Sequence, residues 1–113
     1  MKKIATYKTL GTNNLEAAKS FYDGLFEEIE TMSFSPNDRS WFWVIKGDDS
    51  MFAVFIPYDG EEASAGNGGM TGFLMNSEQE VDDIHAKAIS LGATDDGAPG
   101  RRTENFYGAY VRD

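Results

Sequence analysis

The chain has 113 residues, of which 41% are hydrophobic and none is cysteine. That allows one compact domain with a modest core, and it excludes a disulfide framework, a thiolate nucleophile and a cysteine metal site. Lys and Arg number 10 against 19 Asp and Glu, a net charge of -9 that would repel phosphate at every approach, so no nucleic-acid partner is expected.

After the basic Met1, Lys2 and Lys3, residues 4–10 alternate apolar with polar and form no signal-peptide run. No stretch reaches the roughly 20 apolar residues of a membrane span. The sequence therefore predicts a soluble, cytoplasmic protein without a membrane partner.

Residues 4–10 predict a strand with Ala5, Tyr7 and Thr9 on one face and Ile4, Thr6, Lys8 and Leu10 on the other. Lys8 is out of place on a face that packs under a helix. Gly11 and Thr12 make a turn, and Asn13 or Asn14 can cap a helix running to about Phe26, since a short side-chain oxygen accepts from the free backbone donors of the first turn. Leu15, Ala18, Phe21, Tyr22 and Leu25 form its apolar stripe, while Glu16, Lys19, Ser20 and Asp23 face water. A short strand is predicted near residues 29–34. Pro36, Asn37 and Asp38 break the pattern, and residues 40–46 and 51–57 then pair as a hairpin through Gly47, Asp48 and Asp49.

Residues 58–69 are polar and glycine-rich and read as a connection, after which the plan repeats. A strand is predicted over residues 70–76. Ser77, with Glu80 following, makes a capping box at the head of a second helix. Val81, Ile84, Ala88 and Leu91 are its buried stripe, and Gly92 stops it. A short strand at 93–94, a glycine-rich loop to Gly100 and strand residues within 101–113 complete the chain.

Residues 11–26 resemble the first strand-to-helix passage of the vicinal oxygen chelate superfamily, which includes glyoxalase I, bleomycin-resistance proteins, fosfomycin-resistance enzymes and extradiol dioxygenases. Gly66, Asn67, Gly68, Gly69, Met70, Thr71, Gly72 and Phe73 resemble the start of the second module of that family, and residues 107–113 its closing hairpin. The resemblance implies an α+β fold of two βαβββ modules whose mixed sheets form a concave cleft. It implies a single domain over residues 1–113, with module one at about 4–58, a linker at about 59–69, and module two at about 70–113 with its last strand not in the sequence. It also implies a homodimer.

Metal-dependent members of that family hold a divalent ion with histidines from the opening strands and glutamates from the last strand of each module, a donor set suited to borderline and hard cations. By the resemblance, the histidine positions fall on Tyr7 and Met70, and the first carboxylate position falls near Phe55 in a run, 51–58, without Asp or Glu. The second carboxylate would lie in the missing strand. A phenol binds metals well only as phenolate and a thioether prefers soft ions, so no metal or other cofactor is expected. His85, the sole histidine, is expected as an exposed residue near Asp82, which leaves no partner set for nucleophilic catalysis.

Aromatic side chains remain for the cleft: Tyr7, Trp41 or its neighbour Phe42, Trp43, Phe52, Phe55, Tyr107 and Tyr110, about half of them inward by strand alternation. Arg101, Arg102 and Glu104, in the loop before the last strand, could clamp a ligand. The expected ligand-binding set is Tyr7, Trp41, Trp43, Phe55, Met70, Arg101, Glu104 and Tyr107. It would take a small aromatic or cationic molecule without metal, in the manner of bleomycin-resistance proteins, and Trp41 and Trp43 would report binding by fluorescence. The alternative is a divalent-metal enzyme of the lyase, isomerase or dioxygenase kind with atypical ligands such as Glu104, or a metal-free acid/base pair of Tyr7 and Tyr107.

Overall fold

The computed structural model describes Ile4 and residues 6–113. They form two compact units, one reaching Thr71 and the other spanning Gly72–Asp113. The class is α+β, as the sequence predicts.

The first unit runs β1 (Tyr7–Gly11), α1 (Leu15–Leu25), β2 (Thr31–Phe34), β3 (Ser40–Ile45) and β4 (Met51–Phe55). Its sheet has the order β1-β4-β3-β2, with β1 parallel to β4 and the other neighbours antiparallel. The strand predicted from residue 4 begins at Tyr7, and Ala5 lies outside the described residues. Asn14 caps α1 by accepting from the amide of Ala17 at 3.0 Å.

The core lies between α1 and the sheet. Tyr22 packs its ring 4.8 Å from Phe52 and 5.6 Å from Trp43, and Phe26 sits 6.1 Å from Phe52. Beyond area burial, such ring pairs contribute about 0.5–1.5 kcal/mol each. Lys8 shares the cross-strand row of Phe52 and Trp43 yet stays exposed, because β1 is the edge of the sheet. Lys19, expected in water, is half-buried instead. Its ammonium lies 4.3 Å from the centre of the Trp41 ring and pairs with Asp23, so the stem covers apolar surface while the charge is satisfied.

The second unit holds α2 (Glu78–Ser90), β5 (Thr94–Thr103) and β6 (Phe106–Arg112). Ser77 Oγ accepts from the Glu80 amide at 3.1 Å, and the Glu80 carboxylate accepts from the Asn76 amide at 2.7 Å, so the return arm of the cap lands one residue before the expected one. Gly92 ends the helix with φ at +106°, a left-handed conformation that costs glycine little. Leu91, placed by periodicity on the buried stripe, is the C-cap and is 37% exposed.

Two expectations for this unit are corrected. The glycine-rich loop before Gly100 is part of a ten-residue strand, β5, whose register against β6 shifts between Asp95 and Gly97 and again between Gly97 and Gly100. Glycines mark bulges here instead of ending the strand. Residues 70–76, predicted as a strand, carry no regular structure. In the first unit the opening strand pairs with the last, β1 with β4, whereas among the described residues no strand pairs with residues 70–76. An opening segment without a ladder partner cannot satisfy its backbone as a strand. The second sheet is accordingly two-stranded and antiparallel, not mixed. Among the described residues, no helix is long and apolar enough to cross a membrane.

Candidate functional site: an aromatic sheet face and its recess

Alternation along β3 divides the aromatic side chains between two faces. Trp43 is 3% exposed on the α1 side, where its indole N–H donates to Asp23 at 3.0 Å, and Trp41 lies on the same side beneath Lys19. Phe42, between them, points the other way. Its ring stacks on Phe34 at 5.2 Å and on Tyr7 at 5.9 Å, with interplanar angles of 15° and 14°, and meets Phe55 edge-on at 5.6 Å. Tyr7 is 50% exposed and Phe34 44%, so this array is a surface and not a filled core. Of the two candidates at that point of β3, Phe42 joins Tyr7 and Phe55, while Trp41 and Trp43 do not.

A recess of about 410 Å³ opens beside Tyr7 and Phe55, walled by Thr9, Gly11, Arg39 and Tyr58 among others. That volume lies within the range of about 300–1,000 Å³ found for small-molecule sites. Its outer wall is tied down: Asn13 donates to the carbonyl of Ala63 at 3.0 Å and accepts from its amide at 2.6 Å, and a turn bond runs from Gly60 N–H to the carbonyl of Pro57 at 3.0 Å. Arg39 is fixed by the β3–β4 register, in which Ile56 N–H donates to the Arg39 carbonyl at 2.8 Å and the guanidinium donates back to Ile56 O at 3.0 Å. The guanidinium carbon is 5.6 Å from the Phe55 ring centre and 5.3 Å from that of Tyr58.

Sequence reasoning passed over Arg39 and Tyr58. The signal was present in the hairpin, because pairing Ser40 with Phe55 places Arg39 opposite Ile56, at the end of the strand pair where Tyr58 emerges.

The other expected residues are elsewhere. Met70 is 67% exposed in the irregular stretch before α2. Arg101 belongs to β5, not to a loop, and ties the β5–β6 hairpin to the first turn of α2 through Glu78 at 2.6 Å, while also donating to the Glu104 carbonyl at 2.9 Å. Glu104 is exposed in the turn of that hairpin. Tyr107 donates its hydroxyl proton to Asp82 at 2.7 Å, and that bond raises the phenol above its ordinary pKa of 10.0. A phenol held protonated by an acceptor is a poorer base than a free one, which removes support for a Tyr107 acid/base role. His85 is also placed differently from expectation. Its side chain is 12% exposed and Nε2 lies 3.0 Å from Asp95, joining α2 to β5.

No family model matches the sequence, and no curated protein matches it closely. Among solved structures, a glyoxalase/bleomycin resistance protein from Albidiferax ferrireducens T118 shares 31% identity, over 98% of this chain and 90% of that one, with a TM-score of 0.87. The chain belongs to the glyoxalase/bleomycin resistance protein/dioxygenase superfamily. More distant structures of the same superfamily share its fold. A family enzyme from Burkholderia phytofirmans PsJN is 20% identical over 96% of this chain and 88% of that one, with a TM-score of 0.69. A glyoxalase-related enzyme from Fulvimarina pelagi is 19% identical over 100% and 81%, with a TM-score of 0.70.

The divalent ion that the superfamily implies does not fit the residues present. Around Tyr7 the sheet face offers Thr9, Phe34, Phe42 and Phe55, with no imidazole or carboxylate in its cross-strand rows, and Met70 brings only a thioether. Among the described residues, no group of three or more His, Asp or Glu side chains is arranged to hold a metal.

Proposed function

We propose that this protein binds a small planar organic molecule, without a metal ion, against the aromatic face of the four-stranded sheet. The observation that carries this reading is the ring array of Phe42 with Tyr7, Phe34 and Phe55, of which Tyr7 and Phe34 are about half exposed, beside a recess of about 410 Å³. Exposed rings in contact with one another give a rigid apolar platform. A planar ligand stacked on it gains about 0.5–1.5 kcal/mol per ring contact beyond the area it buries. Recognition of this kind needs complementarity and no reactive group, which is what these side chains provide.

The reading includes a cytoplasmic homodimer. Met32, 58% exposed on the same face as Phe34, supports the second point by giving another copy apolar surface to cover. Native mass spectrometry of the full chain, with Ni, Zn, Mn and Mg added in turn, tests the whole proposal. A dimer that retains no stoichiometric ion and carries or takes up a small organic mass supports it. One divalent ion retained per chain overturns it in favour of a metal-dependent enzyme.

A further inference from the structure

Resting on that reading of the aromatic face, we infer that the recess selects planar aromatic anions: the ring lies against Tyr7 and Phe55, and an acidic group such as a carboxylate meets Arg39.

Arg39 is the single charged side chain among the described residues that line the recess. Among the described residues no carboxylate forms an ion pair with it, not even its chain neighbour Asp38. Lys8, Lys46 and Arg102 likewise form no ion pair among the described residues, so what sets Arg39 apart is its place in the lining of the recess, in a chain whose 19 acidic residues outnumber 10 basic ones. Arg101 pairs with Glu78, Arg112 with Asp96 and Lys19 with Asp23. A guanidinium has five N–H donors in a planar fork matched to carboxylate oxygens. One donor is spent on the Ile56 carbonyl, which anchors the group while the others stay available. The rings of Phe55 and Tyr58 lie on either count within 6 Å of it, so the fork is held in place before a ligand arrives.

The same feature decides against a cationic ligand here. A cation entering the recess would meet a fixed positive charge with no acid among the described lining residues to offset it. The overall charge of -9 does not reverse this, because exposed charges are screened beyond about 8 Å at physiological ionic strength and the nearest partner dominates.

Three probes of one shape separate the possibilities: 2-naphthoate, 2-naphthylmethanol and 2-naphthylmethylammonium, each titrated into the full-length protein at pH 7 and followed by amide NMR shifts. The expected result is shifts centred on Tyr7, Phe55 and Arg39, with naphthoate binding about tenfold or more tighter than the alcohol, as a charge-assisted hydrogen bond provides, and the ammonium weakest. In Arg39→Gln the ratio of naphthoate to alcohol affinity falls to about one. Arg39→Lys keeps part of it, and Arg112→Gln leaves it unchanged. The amide spectrum of each variant reports its folding in the same experiment. Equal affinities for all three probes, with shifts at Tyr7 and Phe55, would overturn the anion selectivity and leave the aromatic site standing. A preference for the ammonium would overturn it as well. No shift at these residues with any probe would remove both the selectivity and the site.

Discussion

The two faces of the four-stranded sheet are both aromatic and do opposite work. On the α1 side Trp43 and Phe52 are 3% and 7% exposed, interlocked with Tyr22 and Phe26. On the other side Tyr7, Phe34 and Phe55 meet Phe42 just as closely, yet Tyr7 and Phe34 remain 50% and 44% exposed. Residue type therefore does not separate core from site in this chain. What separates them is whether an element of the same unit covers the face, and α1 covers one face only. Rings under a helix are held for stability, and rings in mutual contact at a surface form a platform with free energy of burial still to be gained.

Substitutions on the two faces should break apart accordingly. Trp43→Ala leaves a cavity beneath α1 and removes the bond to Asp23, and it is expected to cost about 3–5 kcal/mol in urea unfolding. Equal loss from Tyr7→Ala would erase the distinction between the faces. Asn13→Ala comes next: it releases both bonds to Ala63, with an expected loss of about 1 kcal/mol and a several-fold weaker affinity for a planar probe as the Pro57 and Tyr58 wall loosens. Tyr7→Ala should lower stability by less than about 1 kcal/mol, as for other half-exposed positions, while abolishing probe binding measured by calorimetry.

A smaller effect belongs to the second unit. Asp95 is held below its ordinary pKa of 3.8, first by the Gly97 amide and then by His85. Because the folded value is the lower one, its contribution is complete above the unfolded pKa and is lost as pH falls through the folded value. Asp95→Asn should flatten that acid limb in a pH series of unfolding curves and leave the alkaline side unchanged. The smallest expected change is in tryptophan emission. With Trp41 and Trp43 on the α1 side, a ligand on the other face should leave the spectrum nearly unmoved, and a strong quench on binding would place the ligand on the wrong face for this proposal.

The contrast between the units also explains where local reading succeeded. Both helices, their caps at Asn14 and Ser77, the stop at Gly92 and the β3–β4 hairpin follow from residues within a few positions of one another. The strand predicted over 70–76 failed because a strand depends on a neighbour, and among the described residues none pairs with it. The loop predicted before Gly100 failed because glycines that permit a bulge look the same in sequence as glycines that end a strand.

The sequence by itself determined the amphipathic helices, which rest on residue chemistry and short-range periodicity, and it carried the motifs whose resemblance implied the family and its α+β class. Only the tertiary structure decided which aromatic residues share a face, that His85 turns toward Asp95, that the Tyr107 hydroxyl is committed to Asp82, and that Arg39 reaches the recess beside Tyr7 and Phe55. Those outcomes depend on strand register and on what covers each face, and both are set by contacts between residues far apart in the chain.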